Sequence, residues 1–493
     1  MSDSTHIPEK ALYEVWAKNL FNSSLQTTNG DEIEIINPGH LNTNEAGPDF
    51  MNARIRIGNL SYVGDVEIDI NYNDWKNHGH NINKRYNKVI LHVCLFNKFN
   101  QNYVYSVDGR KIPILVIGNK IDSSLVDLSS FSSTKNIKNN KTTLRCSFEA
   151  DRIDKQKKVE FITALGIKRF NAKCERIYSR LKELIFLKEL NINEPVIRYE
   201  LTPEFKNKEF TYDDFKDREL WQQTFYEFVF EALGYSQNKI AMLKLAQNAD
   251  VHFLKSISDS KNFTEMTEAA LFQISGLLPN VKELPKEDVS EYTRKLFDNY
   301  QTIKDKYTSE FLDETDWHFF KLRPPNFPTI RIMAGVFFLQ SLLIDNSISI
   351  IIKKITEIRK PEILINSLRS FFIVRSEGYW QNHYVFDKIT TSKINYFVGV
   401  SRADDILVNV VFPFFSVYFD VFGKNYLSKK ILQTYNIFIQ KSDNRIERNV
   451  AESLNLKEYS HKTLFAQGMI QLYRNYCTKK KCLECEIGKE IFE

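Results

Sequence analysis

The sequence predicts an α+β protein. A mixed sheet with flanking helices occupies residues 1–120, a linker spans 121–145, and a large all-α region, with room for two subdomains, fills 146–470 ahead of a cysteine-containing tail over 471–493. Three observations lead there: strand-like alternation is confined to the first 120 residues, helical periodicity dominates after 145, and a Ser-, Asn- and Lys-rich stretch separates the two. At 493 residues the chain is too long for one ordinary core, so two or three domains are expected. Its 43% hydrophobic content, with 37 Phe and 23 Tyr, supplies enough apolar surface for folded domains and argues against disorder.

The elements follow in order. "PEKALYEVWAKNLF" sets Leu12, Val15, Trp16 and Leu20 at helical spacing behind Pro8 and reads as an amphipathic helix. "DEIEIINPG" reads as a strand ended by Pro38-Gly39. "FMNARIRIG" and "SYVGDVEIDI" alternate apolar and polar residues around Gly58-Asn59, the pattern of a β-hairpin. "DWKNHGHNINKRYN" places Trp75, Gly79, Ile82 and Tyr86 on one helical stripe, although Gly79 and four Asn weaken that helix. "KVILHVCLF" is a continuous apolar, β-branched run suited to a strand buried on both faces. "VYSVDGRKIPILVIG" adds a hairpin around Asp108-Gly109. After the linker, six segments from "KKVEFITALGIKRFNAKCERIYSRLKELIF" to "TLFAQGMIQLYRNYC" read as helices, with no fixed-period repeat.

Charge is unevenly placed. Residues 1–120 hold 12 Lys/Arg against 13 Asp/Glu, whereas residues 131–180 hold 13 against 5, a net of +8. Such a band can follow a phosphate backbone or simply be a solvated helix face. The N-terminus lacks a secretory pattern, and "ILVNVVFPFFSVYFDVF" is interrupted by Asn409 and Pro413 and is too short to span a membrane. Six cysteines are too few for a disulfide scaffold, so the expected location is the cytoplasm. The sequence contains no GxxxxGK[ST] loop, GxGxxG fingerprint or GxSxG elbow, so ATPase, Rossmann and serine-hydrolase classes lack motif support.

The order α-β-β-β-α-β, with an acid opening the second strand and another in the third, resembles the PD-(D/E)xK nuclease superfamily, whose fold is restriction-endonuclease-like. Pro48-Asp49 supplies the "PD" and Glu67 the second acid. The resemblance implies that Asp49 and Glu67 hold Mg²⁺ or Mn²⁺, and that the chain is a metal-dependent phosphodiesterase acting on DNA or RNA. The superfamily's third residue, a Lys, falls at Asp69. Either a cation comes from elsewhere, with Lys84 and Lys88 as candidates, or Asp69 joins the metal shell, or the site is inactive. His78 and His80 in "HGH", and His92 on the following strand, are candidate ligands or proton carriers, and equally candidate polar helix and core residues.

Motifs along nearly the whole chain, "GPDF", "GDVEI", "DWKNHGH", "YNKVILHV", "LGYSQNK", "RPPNFPTIR", "YWQNHY" and "QGMIQLYRNYCTKKKCLECEIG", resemble the bacterial family catalogued as domain of unknown function 2851. The pattern associated with that family has His where this chain has Asp69 and an acid where it has Asn83. Arg323 and Arg331 of "RPPNFPTIR" can contact phosphate or a carboxylate, or pair within a buried turn. Trp380, His383 and Tyr384 read as packing residues.

Cys477, Cys482 and Cys485 have metal-ligand spacing for Zn²⁺ or an Fe–S cluster. A fourth ligand would be His461, Cys146, Cys174 or an external group. Two further readings stand beside the nuclease: a non-catalytic nucleic-acid-binding protein that keeps the nuclease-like sheet, and an interaction scaffold with a structural zinc tail.

Overall fold

Alternating apolar side chains in the first 120 residues assemble one mixed sheet. The structure, a computed structural model, describes residues 9–42, 47–121, 144–190, 203–257, 261–319, 322–390, 392–440, 444–460 and 462–492. The chain divides into two compact units, Met1–Lys141 and Thr142–Glu493. Nearly all of the expected linker over 121–145 lies outside the described residues, as does His461.

The first unit contains helix α1 (Glu9–Ala17) and strands β1 (Leu25–Gln26), β2 (Glu32–Asn37), β3 (His40–Leu41), β4 (Phe50–Ile57), β5 (Leu60–Asn71), β6 (Val89–Phe96), β7 (Tyr103–Tyr105) and β8 (Lys111–Val116). Sheet order is β1-β2-β4-β5-β6-β8-β7, with β3 also pairing β4. β4 and β5 form the expected antiparallel hairpin, whereas β5, β6 and β8 run parallel. Seven of the eight β6 residues are buried, as a strand between two parallel neighbours requires. The short strands β1 and β3 are additions to the expected order.

Each face of the sheet carries its own apolar cluster. Leu12 and Trp16 of α1 pack with Phe50, Val66, Ile68, Leu91 and Val93 on one face. The Trp16 indole donates to the Pro38 carbonyl at 3.0 Å, satisfying its buried polar end. On the other face Trp75 and Tyr86 pack with Cys94, Val104, Ile112 and Ile114.

The helix expected over "DWKNHGHNINKRYN" is instead one turn, α2 (Asp74–Asn77), followed by two 3₁₀ turns, His80–Ile82 and Lys84–Tyr86. Gly79 adopts φ 77°, a left-handed conformation that ends the helix, and Asn83 is extended. That interruption sets His78 and His80 on either side of the break.

The second unit is mainly helical, with two short β-ladders, Val374–Arg375 with Tyr396–Val398 and His383–Val385 with Lys388–Ile389, inside the region expected to be all helix. These ladders are too short for alternation to announce them. The helix Lys155–Glu189 begins at Asp154, whose carboxylate accepts from the Lys157 amide, and it takes up part of the basic band. It crosses Thr463–Leu472 at very close range. A Cβ on Gly166 would lie 2.2 Å from the Leu464 carbonyl oxygen, and one on Gly468 would lie 1.9 Å from that of Ile162, so only glycine permits this backbone approach.

Arg331 is buried and donates to the Phe397 carbonyl at 2.7 Å and to Asn326 at 2.5 Å, so this arginine fastens a turn. Trp380 donates to the buried Glu268 carboxylate at 2.9 Å, and Tyr292 donates to the same oxygen. Burial raises the Glu268 pKa, partly opposed by those two donors. A carboxyl that binds its proton more tightly when folded favours the fold most at low pH, and that contribution is lost as pH rises through its folded pKa. Glu268→Gln, which keeps an acceptor without the charge, is therefore expected to raise the melting temperature near pH 7, with the gain shrinking toward pH 4. Thermal denaturation at both pH values checks this. No single helix among the described residues is long and apolar enough to cross a membrane.

Candidate metal centre

The two-residue period of β5 sorts its side chains onto opposite faces. Val66 and Ile68 enter the α1 core, while Asp65, Glu67 and Asp69 share the other face and are all buried. Three carboxylates in a row are costly unless hydrogen bonds or cations compensate. A shift in the β4–β5 register between Phe50 and Ala53, with Asn52 at φ 56°, turns backbone amides toward them. The Asn52 amide donates to Asp65 at 3.0 Å and the Asp49 amide donates to Glu67 Oε2 at 3.0 Å. In return the Ile68 amide donates to Asp49 Oδ2 at 3.0 Å. The two acids expected to act together are thus linked through the backbone amides of Asp49 itself and of Ile68, the residue after Glu67.

Histidines complete the group. His92 on β6 is fully buried, and its Nε2 lies 3.0 Å from Asp69 Oδ2. His78, at the end of α2 and half exposed, places Nδ1 3.2 Å from Asp69 Oδ1. The left-handed Gly79 then turns the chain so that His80 points inward. The His80 ring stacks on Tyr86, with centroids 4.0 Å apart and planes at 27°, and it meets the edge of Trp75. His80 Nε2 lies 3.0 Å from Glu67 Oε1 but is not aligned for a hydrogen bond, leaving a buried ring nitrogen without a hydrogen-bonding partner among the described residues.

One ligand atom each from Asp69, His78 and His80 lie within 4.8 Å of one another. Burial pushes the His80 imidazole down to about 4, against the attraction of Asp69, so the ring is neutral at physiological pH and has a lone pair to offer. Burial raises the Tyr86 phenol well above its ordinary range, with Glu67, Asp49 and Asp69 adding to the effect, and keeps it protonated. Burial also raises the Asp65 carboxyl, opposed by the Asn52 amide and by Lys88. The orphaned His80 nitrogen and the converging oxygens fit a metal ion. Two imidazole nitrogens suit a first-row transition ion better than Mg²⁺, which prefers oxygen ligands, and the carboxylates beside them admit Mn²⁺.

The fold thus gathers Glu67 and Asp69 from β5, Asp49 from just before β4, and His78 and His80 from the broken helix. Lys84 is exposed on the second 3₁₀ turn. A hollow of about 480 Å³ nearby shares Trp75 but none of these acids or histidines. Cys477, Cys482 and Cys485 belong to the second unit.

A family model described as a protein of unknown function, DUF2851, matches residues 9–188 and 204–445. The chain belongs to the DUF2851 family. The DUF2851 match includes every residue of the acid and histidine group and also Cys146, and it ends before the cysteine tail. No curated protein and no solved structure matches the chain. Sequence reading passed over Asp65 and Tyr86 as parts of this site. Asp65 has the same strand parity as Glu67 and Asp69, a signal that was available; Tyr86 reaches His80 only through the turn at Gly79.

Proposed function

We propose that the first unit is a divalent-metal-dependent phosphodiesterase acting on nucleic acid, with the metal held by Asp69, His78 and His80 beside Glu67 and Asp49. The observation that carries this reading is the convergence of three donor atoms within 4.8 Å on a face that also buries two more acids. A divalent ion bound there supplies Lewis acidity toward a phosphodiester oxygen and the attacking water.

The chain's own residues supply the rest. Asp69 holds two imidazoles by separate oxygens, which fixes both ring orientations. His80, neutral and buried, contributes a lone pair without first releasing a proton. Half-exposed His78 marks the solvent side, where a substrate phosphate can approach. Asp69 at the superfamily's lysine position is consistent with its role as a ligand, and it leaves positive charge toward the phosphate to the ion itself.

The test incubates the full chain with single- and double-stranded DNA and RNA in Mn²⁺, in Mg²⁺ and in EDTA, alongside Asp49→Ala and Glu67→Gln. Cleavage is expected only with the divalent ion, strongest with Mn²⁺, and both variants should lose at least about tenfold in rate. Cleavage that persists in EDTA, or no cleavage of any substrate with either ion, would overturn the reading. Salt-sensitive binding without cleavage would replace it with the non-catalytic alternative.

A further inference from the structure

The second unit brings a fourth cysteine to the tail. Cys146 lies on the 3₁₀ segment Arg145–Arg152 at the start of the unit, while Cys477, Cys482 and Cys485 lie near its end. Cys485 is buried in a cluster formed by Leu144, Ala150, Phe161, Val450 and Ile487, against which Cys146 and Cys477 pack. None of the four is in a disulfide. As thiolates packed around one buried cluster they would repel one another. A cation among them would relieve that repulsion.

The backbone turns back on itself around these cysteines. The π-turn Tyr473–Cys477 ends in a reversal with Lys480 at φ 56°, closed by Lys480 N–H to the Cys477 carbonyl and Lys481 N–H to that of Tyr476. A Cβ on Gly488 would lie 2.1 Å from the Cys482 carbonyl oxygen, so the glycine lets that loop close on Cys485. Cys174, by contrast, meets the Pro413 carbonyl.

Sulfur spacing selects the type of centre. Four thiolates on one tetrahedral zinc ion stand roughly 3.8 Å apart, from Zn–S bonds of about 2.3 Å. Among the described residues, the metal-competent group with donors within 4.8 Å is the acid and histidine set of the first unit, and no trio of these sulfurs meets that limit. A cluster that spreads its thiolates over several irons accepts the wider set. We propose that Cys146, Cys477, Cys482 and Cys485 ligate a single iron–sulfur cluster that fastens the first segment of the second unit to its last.

The full chain, purified without oxygen, should contain iron and acid-labile sulfide in equal amounts, about two or about four of each per chain, and show visible absorption that dithionite bleaches. Cys146→Ser should lose most of the iron and the colour, whereas Cys174→Ser keeps both. In case Cys146→Ser fails to fold, alkylation of the wild type followed by mass spectrometry provides an independent reading: Cys146 should become labelled only after the cluster is oxidatively destroyed. One zinc per chain, no bound metal, full iron in a folded Cys146→Ser protein, or labelling of Cys146 with the cluster intact would each overturn the proposal.

Discussion

Asp69→Asn is expected to weaken Mn²⁺ binding to the full chain by more than about 100-fold and to remove metal-dependent cleavage. Loss of a supporting hydrogen bond to a metal ligand costs about 10–100-fold, and Asp69 is proposed to be both a ligand and a support. Its two oxygens face His78 Nδ1 and His92 Nε2, so the substitution removes an anionic donor and reverses the polarity of one of those contacts. Asparagine preserves shape, and the buried site loses a charge that needed compensation, so the fold should persist. His92→Gln, which disturbs only the support, should fall within the smaller 10–100-fold range. Calorimetric titration with Mn²⁺ measures both, and an Asp69→Asn protein with wild-type affinity would remove Asp69 from the metal's ligands.

The largest stability loss should follow Arg180→Leu in the second unit. Arg180 donates from Nε to Glu227 Oε2 at 2.8 Å and from a terminal nitrogen to Oε1 at 2.9 Å, and both side chains are buried. Gln223 donates to the same carboxylate at 2.9 Å while its own oxygen accepts from the Val251 amide. Removing the arginine leaves Glu227 buried with its charge uncompensated, a change that costs about 3–5 kcal/mol. Against a total stability of about 5–15 kcal/mol, that is a large fraction. Leucine at both Arg180 and Glu227 should recover much of the loss, because an apolar pair of similar volume needs no compensation. Urea denaturation of the two variants decides it; equal losses in both would show that packing, and not the stranded charge, sets the cost.

Much of the first unit was legible because a half-buried strand writes its period into the sequence. "FMNARIRIG" and "SYVGDVEIDI" became β4 and β5, and the unbroken apolar run became the central β6. The proximity of Asp49 and Glu67 followed from that hairpin. Other features depend on a few dihedral angles. Gly79 looked like a weak helical residue; its left-handed conformation instead breaks the helix, sends His80 inward and leaves His78 at the surface. Asp69 was left open between three roles, since only its neighbours distinguish a ligand from a substituted lysine. Cys146 was one of four candidates for the same reason: no local pattern links it to cysteines more than 300 positions away.

The glycine crossing between Lys155–Glu189 and Thr463–Leu472 also bears on how the chain is made. Arg169 on the first helix donates to Gln467 on the second, partners 298 residues apart in sequence. During synthesis the early helix emerges long before the partner that covers Ile162 and Gly166. The part of its face that this partner covers stays open until the later helix has been made. The second unit therefore closes late and from its two ends, so a chain stopped short of residue 463 would display that face to chaperones and proteases in place of a finished core.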